Sequence, residues 1–234
     1  MEAATEQSAA RRELYRSKRV APSILSSDFS HLGSQVAEVM DVGARLIHVD
    51  VMDGHFVPPI TIGPLVAGSI ADQVHEGGGA VDVHLMIERP EQQIAEFAKA
   101  GADSISIHAE ATPHINRTLC AIRDHGCLAG LAINPGTPVE AVRELRGYAD
   151  ILLCMTVNPG WGGQPFISES PDKVARLKSL AGDAAIEADG GVDADTVPSI
   201  AAAGATLFVA GSAVFGTSDP AAAYSSIASA ADAS

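Results

Sequence analysis

Two short stretches carry imidazole and carboxylate groups at alternate positions within otherwise apolar runs. In LIHVDVM (46–52) these are His48 and Asp50, and in VDVHLM (81–86) they are Asp82 and His84. Residues two apart on a strand point to one face, so each stretch sets a nitrogen donor beside an oxygen donor. Asp189 ends a third apolar run, in IEADGG (186–191). Two imidazoles and two carboxylates converging from separate strands suit a divalent cation, and zinc, ferrous iron, manganese and cobalt all accept mixed N/O ligands. One buried histidine alone usually reads as a hydrogen-bonded core residue. Two such pairs plus a strand-end aspartate reverse that reading, because unpaired buried charges cost several kcal/mol each, on the order of a lost ion pair.

A second set of residues is glycine-rich: NPGWGGQ (158–164), DGG (189–191) and AGS (210–212). Glycine lets backbone N–H groups approach an anion closely. One tract alone reads as a tight turn, whereas three after successive strands point to a phosphorylated ligand. The four lysines, Lys18, Lys99, Lys173 and Lys178, all fall away from strand ends, which disfavours Schiff-base chemistry. Cys154 lies in an apolar strand and reads as packing. His31, His75, His114 and His125 read as surface residues. Met52, Met86 and Met155 fall near strand ends. They read either as core filler or as an apolar, polarisable wall over a reacting centre.

The elements that must position these groups alternate along the chain. Short apolar or β-branched runs occur at Val20–Leu25, Arg45–Val51, Ala80–Met86, Ser104–His108, Leu128–Ile133, Asp150–Thr156, Ala184–Ala188 and Ala205–Val209. Helical spacing separates them, as at Glu91–Ala100, Val139–Leu145, Asp172–Leu180 and Thr196–Ala203, with a last helix at Pro220–Ala231. Eight such units fit a single-domain α/β fold of the (β/α)8 TIM-barrel type, which needs roughly 200 to 250 residues. An open doubly wound sheet is the runner-up, but no GxGxxG follows the first strand. In a barrel the chemistry gathers at the C-terminal strand ends. There the polar residues are Ser23, His48, Asp50, Asp82, His84, His108, Asn134, Asn158 and Asp189.

Composition narrows the partners. The 234-residue chain is 47% hydrophobic with a formal net charge of -14, which argues against nucleic acid or an anionic membrane surface. No apolar run reaches the roughly 18 residues of a membrane span. Three cysteines without a CxxC spacing suggest reduced thiols in a cytoplasmic protein. Residues 1–18 read as a polar N-terminal extension outside the fold, and 19–234 as the catalytic barrel. A charged fraction of 19% points to some surface being buried in a homo-oligomer.

Six segments together carry a family resemblance: APSILSSDF (21–29), HVDVMDGHFVPPITIGP (48–64), VDVHLM (81–86), VNPGWGGQPF (157–166), EADGGV (187–192) and VAGSAVF (209–215). Motif by motif and in order, they resemble the ribulose-phosphate 3-epimerase family. The resemblance implies a (β/α)8 barrel that interconverts D-ribulose 5-phosphate and D-xylulose 5-phosphate, a step of pentose phosphate metabolism, with one divalent metal per subunit. It implies that His48, Asp50, His84 and Asp189 hold the metal, and that Asp50 and Asp189 are also the two acid/base groups. Substrate would meet Ser23, His84, Gly160, Trp161, Gly162, Gly163, Asp189, Gly190, Gly191, Gly211 and Ser212, the glycine-rich loops mostly at its phosphate. The chain departs from the pattern at Trp161, Pro59, Ser27 and Ala188, none of them an implied metal ligand or acid/base group. Three other readings are a 3-epimerase of a six-carbon ketose phosphate, a catalytically silent sugar-phosphate binder, and a metal-dependent hydrolase. The last lacks HxH or HExxH spacing.

Overall fold

Alternation of inward and outward side chains organises the whole barrel. The computed structural model describes residues 13–234. Its eight strands are β1 (Arg19–Pro22), β2 (Leu46–Met52), β3 (Ala80–Met86), β4 (Ser104–His108), β5 (Leu128–Ile133), β6 (Ile151–Met155), β7 (Ala185–Asp189) and β8 (Leu207–Ala210). They pair in parallel in the order β1-β8-β7-β6-β5-β4-β3-β2. A parallel bridge between Ser23 and His48 joins the two ends and closes the ring. The expected TIM barrel is therefore the architecture.

Among the described residues the ring is surrounded by α1 (Leu32–Asp41), α2 (Pro64–Glu76), α3 (Ile94–Lys99), α4 (Ile115–Asp124), α5 (Ser170–Leu180), α6 (Val197–Ala202), α7 (Ser212–Phe215) and α8 (Pro220–Asp232). Outward strand residues such as Ile47, Val49, Val81, Val83, Ile105 and Ile107 pack with apolar helix residues in one large core. The inward set differs. At the N-terminal end of the barrel Ala21, Leu46, Ala80, Leu128, Ile151, Ala185 and Leu207 form an apolar floor. One step higher, register aligns His48, Asp82 and Ser104, and the next step aligns Asp50, His84, Ser106 and Gly130. Gly130 is required by crowding: a Cβ there would lie 2.9 Å from Ser106 Cα, closer than two carbons pack.

Three local expectations need correction. The helix expected over Val139–Leu145 is a single 3-10 turn, Val139–Val142. Its two buried residues, Val139 and Val142, lie three apart, the repeat of a 3-10 helix. The expected helix Glu91–Ala100 divides into a 3-10 turn, Pro90–Gln92, and α3. The first strand ends at Pro22, and beyond Ser23 the chain enters a 3-10 turn at Ile24–Ser26 in which the Ser23 side chain accepts from the Leu25 N–H.

A fourth correction concerns the N-terminus. Residues 1–12 lie outside the described residues, but the expected extension to residue 18 does not stay outside the fold. Tyr15 is buried against the barrel floor, and its hydroxyl lies 2.9 Å from Ser104 Oγ. An aromatic ring fills the open end of a barrel whose floor is built of small aliphatics.

Candidate active site

Four of the expected residues meet at the C-terminal mouth. One ligand atom from each of His48, Asp50, His84 and Asp189 lies within 4.8 Å of the others, and all four residues are buried. His48 Nε2 is 3.3 Å from Asp50 Oδ1. His84 Nδ1 is 3.2 Å from both Asp50 Oδ1 and Asp189 Oδ2. Ser23 Oγ donates to Asp50 Oδ2 at 2.6 Å, which orients that carboxylate.

The hydrogen bonds behind these atoms fix which way the imidazoles face. A carboxylate only accepts. His48 Nδ1 lies 2.7 Å from Asp82 Oδ2, so His48 donates there and turns a lone pair on Nε2 to the mouth. That Nε2 is buried and makes no hydrogen bond. His108 Nδ1 lies 3.3 Å from Glu110 Oε2, so its Nε2 accepts from His84 Nε2 at 2.8 Å. Neutral His84 therefore also aims a lone pair, on Nδ1, at the two carboxylates. Four lone-pair donors crowd one small volume, and a divalent cation is the group that this donor set fits. A backing carboxylate or second imidazole behind each histidine is the usual support of metal-bound histidine.

Protonation offers the crowd a partial substitute. Burial opposes a charge on His48, but Asp50 and Asp82 outweigh it and raise its pKa well above the ordinary value. His84 is likewise raised by Asp189 and Asp50 against burial. The carboxyls diverge. Burial pushes Asp50 up, but His48 and His84 overcome this and hold it well below the usual carboxylate range. Burial, followed by the charge of Asp50, pushes Asp189 up.

Around this centre runs an open cavity of roughly 540 Å³, solvent included. Met52, Met86 and Met155 all reach it. Met52 and Met86 pack with Val57, and Met155 with Leu153 and Val157, so the apolar wall forms from two sides. Gly160, Trp161, Gly162 and Gly163 line the rim after β6, Gly190 and Gly191 after β7, and Gly211 and Ser212 after β8. Trp161 is 59% exposed. Gly191 has φ +65°, and a Cβ there would stand 2.8 Å from the Phe166 backbone nitrogen, so no other residue fits.

Some strand-end residues go elsewhere. Asp82 lies below the centre and backs His48. Asn134 meets Glu110 through its N–H and Lys173 through its carbonyl. The Asn158 carbonyl accepts from Gln164 Nε2. Ser26 reaches the cavity beside Gly162 and Gly211 and escaped notice because it belongs to no strand. Glu187 also escaped notice, yet the same alternation that marked His48 and Asp50 places it one inward step below Asp189, 3.7 Å from His48 Nδ1.

A profile of the ribulose-phosphate 3 epimerase family matches residues 19–215. The chain belongs to this family. A protein of Bacillus subtilis (strain 168) named ribulose-phosphate 3-epimerase is 50% identical over 206 residues, covering 86% of this chain and 94% of its own. One from Escherichia coli (strain K12) with the same name is 44% identical over 204 residues, covering 86% and 90%. Among solved structures, 3-hexulose-6-phosphate synthase from Salmonella typhimurium superposes with a TM-score of 0.71 at 16% identity, covering 92% of this chain and 99% of that one. The 3-keto-L-gulonate-6-phosphate decarboxylase from Vibrio cholerae gives 0.70 at 13%, covering 93% and 98%. At such identities the likeness to these two is one of fold.

Proposed function

We propose that this chain is a metal-dependent ribulose-phosphate 3-epimerase, an isomerase that interconverts D-ribulose 5-phosphate and D-xylulose 5-phosphate. The observation that carries the reading is the convergence of four lone-pair donors, two of them carboxylates from strands separated in the ring by β1 and β8. A cation bound by His48 Nε2, Asp50, His84 Nδ1 and Asp189 would supply Lewis acidity that stabilises the negative charge of an enediolate. Asp50 and Asp189 move the protons at C3. One carboxylate removes the C3 proton from one face, and the other delivers a proton to the opposite face, which inverts that carbon. Their environments shift the two carboxyls in opposite directions, Asp50 downward and Asp189 upward. Which acts as base depends on the direction of reaction.

The remaining residues bind and shield. Ser23 keeps Asp50 oriented, and Ser23 and His84 lie where substrate hydroxyls would meet them. The methionines keep water from the reacting carbon. Backbone N–H groups of the three glycine-rich loops hold the phosphate without a lysine or arginine. We further propose one divalent cation per subunit, whether zinc, ferrous iron, manganese or cobalt, and a homo-oligomer in the cytoplasm. No helix among the described residues is long and apolar enough to cross a membrane.

A coupled assay with D-ribulose 5-phosphate, run with and without a strong chelator, tests this. Activity should vanish with the chelator and return with added divalent metal. Full activity in protein shown by elemental analysis to be metal-free would reject the role of the cation.

A further inference from the structure

The Tyr15 hydroxyl sits at the opposite end of the barrel from the mouth, yet polar contacts connect the two. Tyr15 OH meets Ser104 Oγ at 2.9 Å, Ser104 Oγ donates to Asp82 Oδ1, and Asp82 Oδ2 lies 2.7 Å from His48 Nδ1. All four side chains are buried. The direction of every bond is determined. Asp82 as carboxylate can only accept, so Ser104 spends its one proton on Asp82. Ser104 must then accept from Tyr15, and His48 must donate from Nδ1.

We propose that Tyr15 is a positioning residue for the metal centre: its hydroxyl fixes a one-way chain through Ser104 and Asp82 that locks His48 with its Nε2 lone pair facing the mouth. This rests on the reading of His48 as a metal ligand. Without the tyrosine proton, Ser104 loses the donor that keeps its own hydroxyl turned to Asp82. Asp82 then holds the His48 ring less firmly, at a buried site where each hydrogen bond carries more weight than at the surface. The segment before β1 thereby acts on chemistry at the far end of the barrel, although the matched family region begins only at residue 19.

The test uses the full chain, stripped of metal and titrated with cobaltous ion. Affinity is read by competition with a chromophoric chelator, and ligand geometry by the visible absorption of bound cobalt. Substituting a residue that backs a ligand lowers metal affinity by about 10- to 100-fold, the range expected for Asp82→Asn. Tyr15→Phe keeps the ring in the floor and removes only the hydroxyl, so it should weaken cobalt by about three- to tenfold and alter the cobalt absorption band, with cooperative unfolding retained. Ser104→Ala should do the same, and the double variant should bind no more weakly than the worse single one, because both cut one chain. Unchanged cobalt affinity in a folded Tyr15→Phe overturns the proposal, as do fully additive losses in the double variant. Failure of the underlying reading looks different: the unsubstituted protein would then bind no cobalt, or Asp50→Asn would bind it as tightly.

Discussion

Asp50 and Asp189 carry the same functional group, and their surroundings give them different work. Asp50 takes one hydrogen bond from Ser23 and faces two imidazoles. Asp189 sits at a strand end where burial and its neighbour's charge favour the proton. Each is needed on its own face of the substrate, so neither can cover for the other. Asp50→Asn or Asp189→Asn should lower turnover by about 100-fold or more while circular dichroism shows the fold intact, and near-normal turnover in either variant would exclude two acid/base groups. The sequence made His48, Asp50 and His84 visible because histidine and aspartate interrupt apolar strands at period two. The facing of their lone pairs was not visible. It depends on Asp82, His108 and Glu110 arriving from neighbouring strands and a loop, a matter of register that spacing along one segment does not contain.

Among the elements, the segments between strands show how polar staples hold loops around the mouth. Glu110, just after β4, accepts from the Asn134 N–H and from Thr137 Oγ1, and so ties its loop to the one after β5. Lys173 from α5 donates to the carbonyls of Asn134, Pro135 and Thr137 on that same loop. Burial works against the Glu110 carboxylate, but His108, Thr137 and Asn134 lower its pKa from 4.5 to about 2. A depressed carboxyl stabilises the fold above its unfolded value and loses that contribution as pH falls towards its folded value. Between about pH 5 and pH 2 the protein should lose stability through this group, on the order of 1 kcal/mol after discounting for solvent screening. Denaturant titrations should show Glu110→Gln losing less than the unsubstituted protein over that interval, and an equal loss would show that the staple does not depend on charge. Helix existence was legible wherever the apolar period was long. At Val139–Val142 it misled, because two buried valines three apart satisfy a single turn as well as a helix.

For the molecule as a whole, eight alternating units and their turn residues announced a barrel, since that pattern has few ways to bury itself. The plug at its floor was not legible. Tyr15 sits in a polar, charged stretch, and only the closed ring creates the hole that it fills. Ile60 and Leu65 are 81% and 91% exposed, side chains that the proposed homo-oligomer would cover. Sedimentation should therefore find a multiple of the 24.0 kDa chain, and a single species of that mass would contradict self-association. The central claim joins two separate strands of the ring: carboxylates from β2 and β7 handle C3 from two faces. Its most direct test is the reaction of D-ribulose 5-phosphate in deuterium oxide, stopped early and read by mass spectrometry and NMR. The product should carry one deuterium at C3 while recovered substrate carries none, because the proton removed on one side is replaced from a different, solvent-exchanged group. Product that keeps its original hydrogen at C3 would contradict the account.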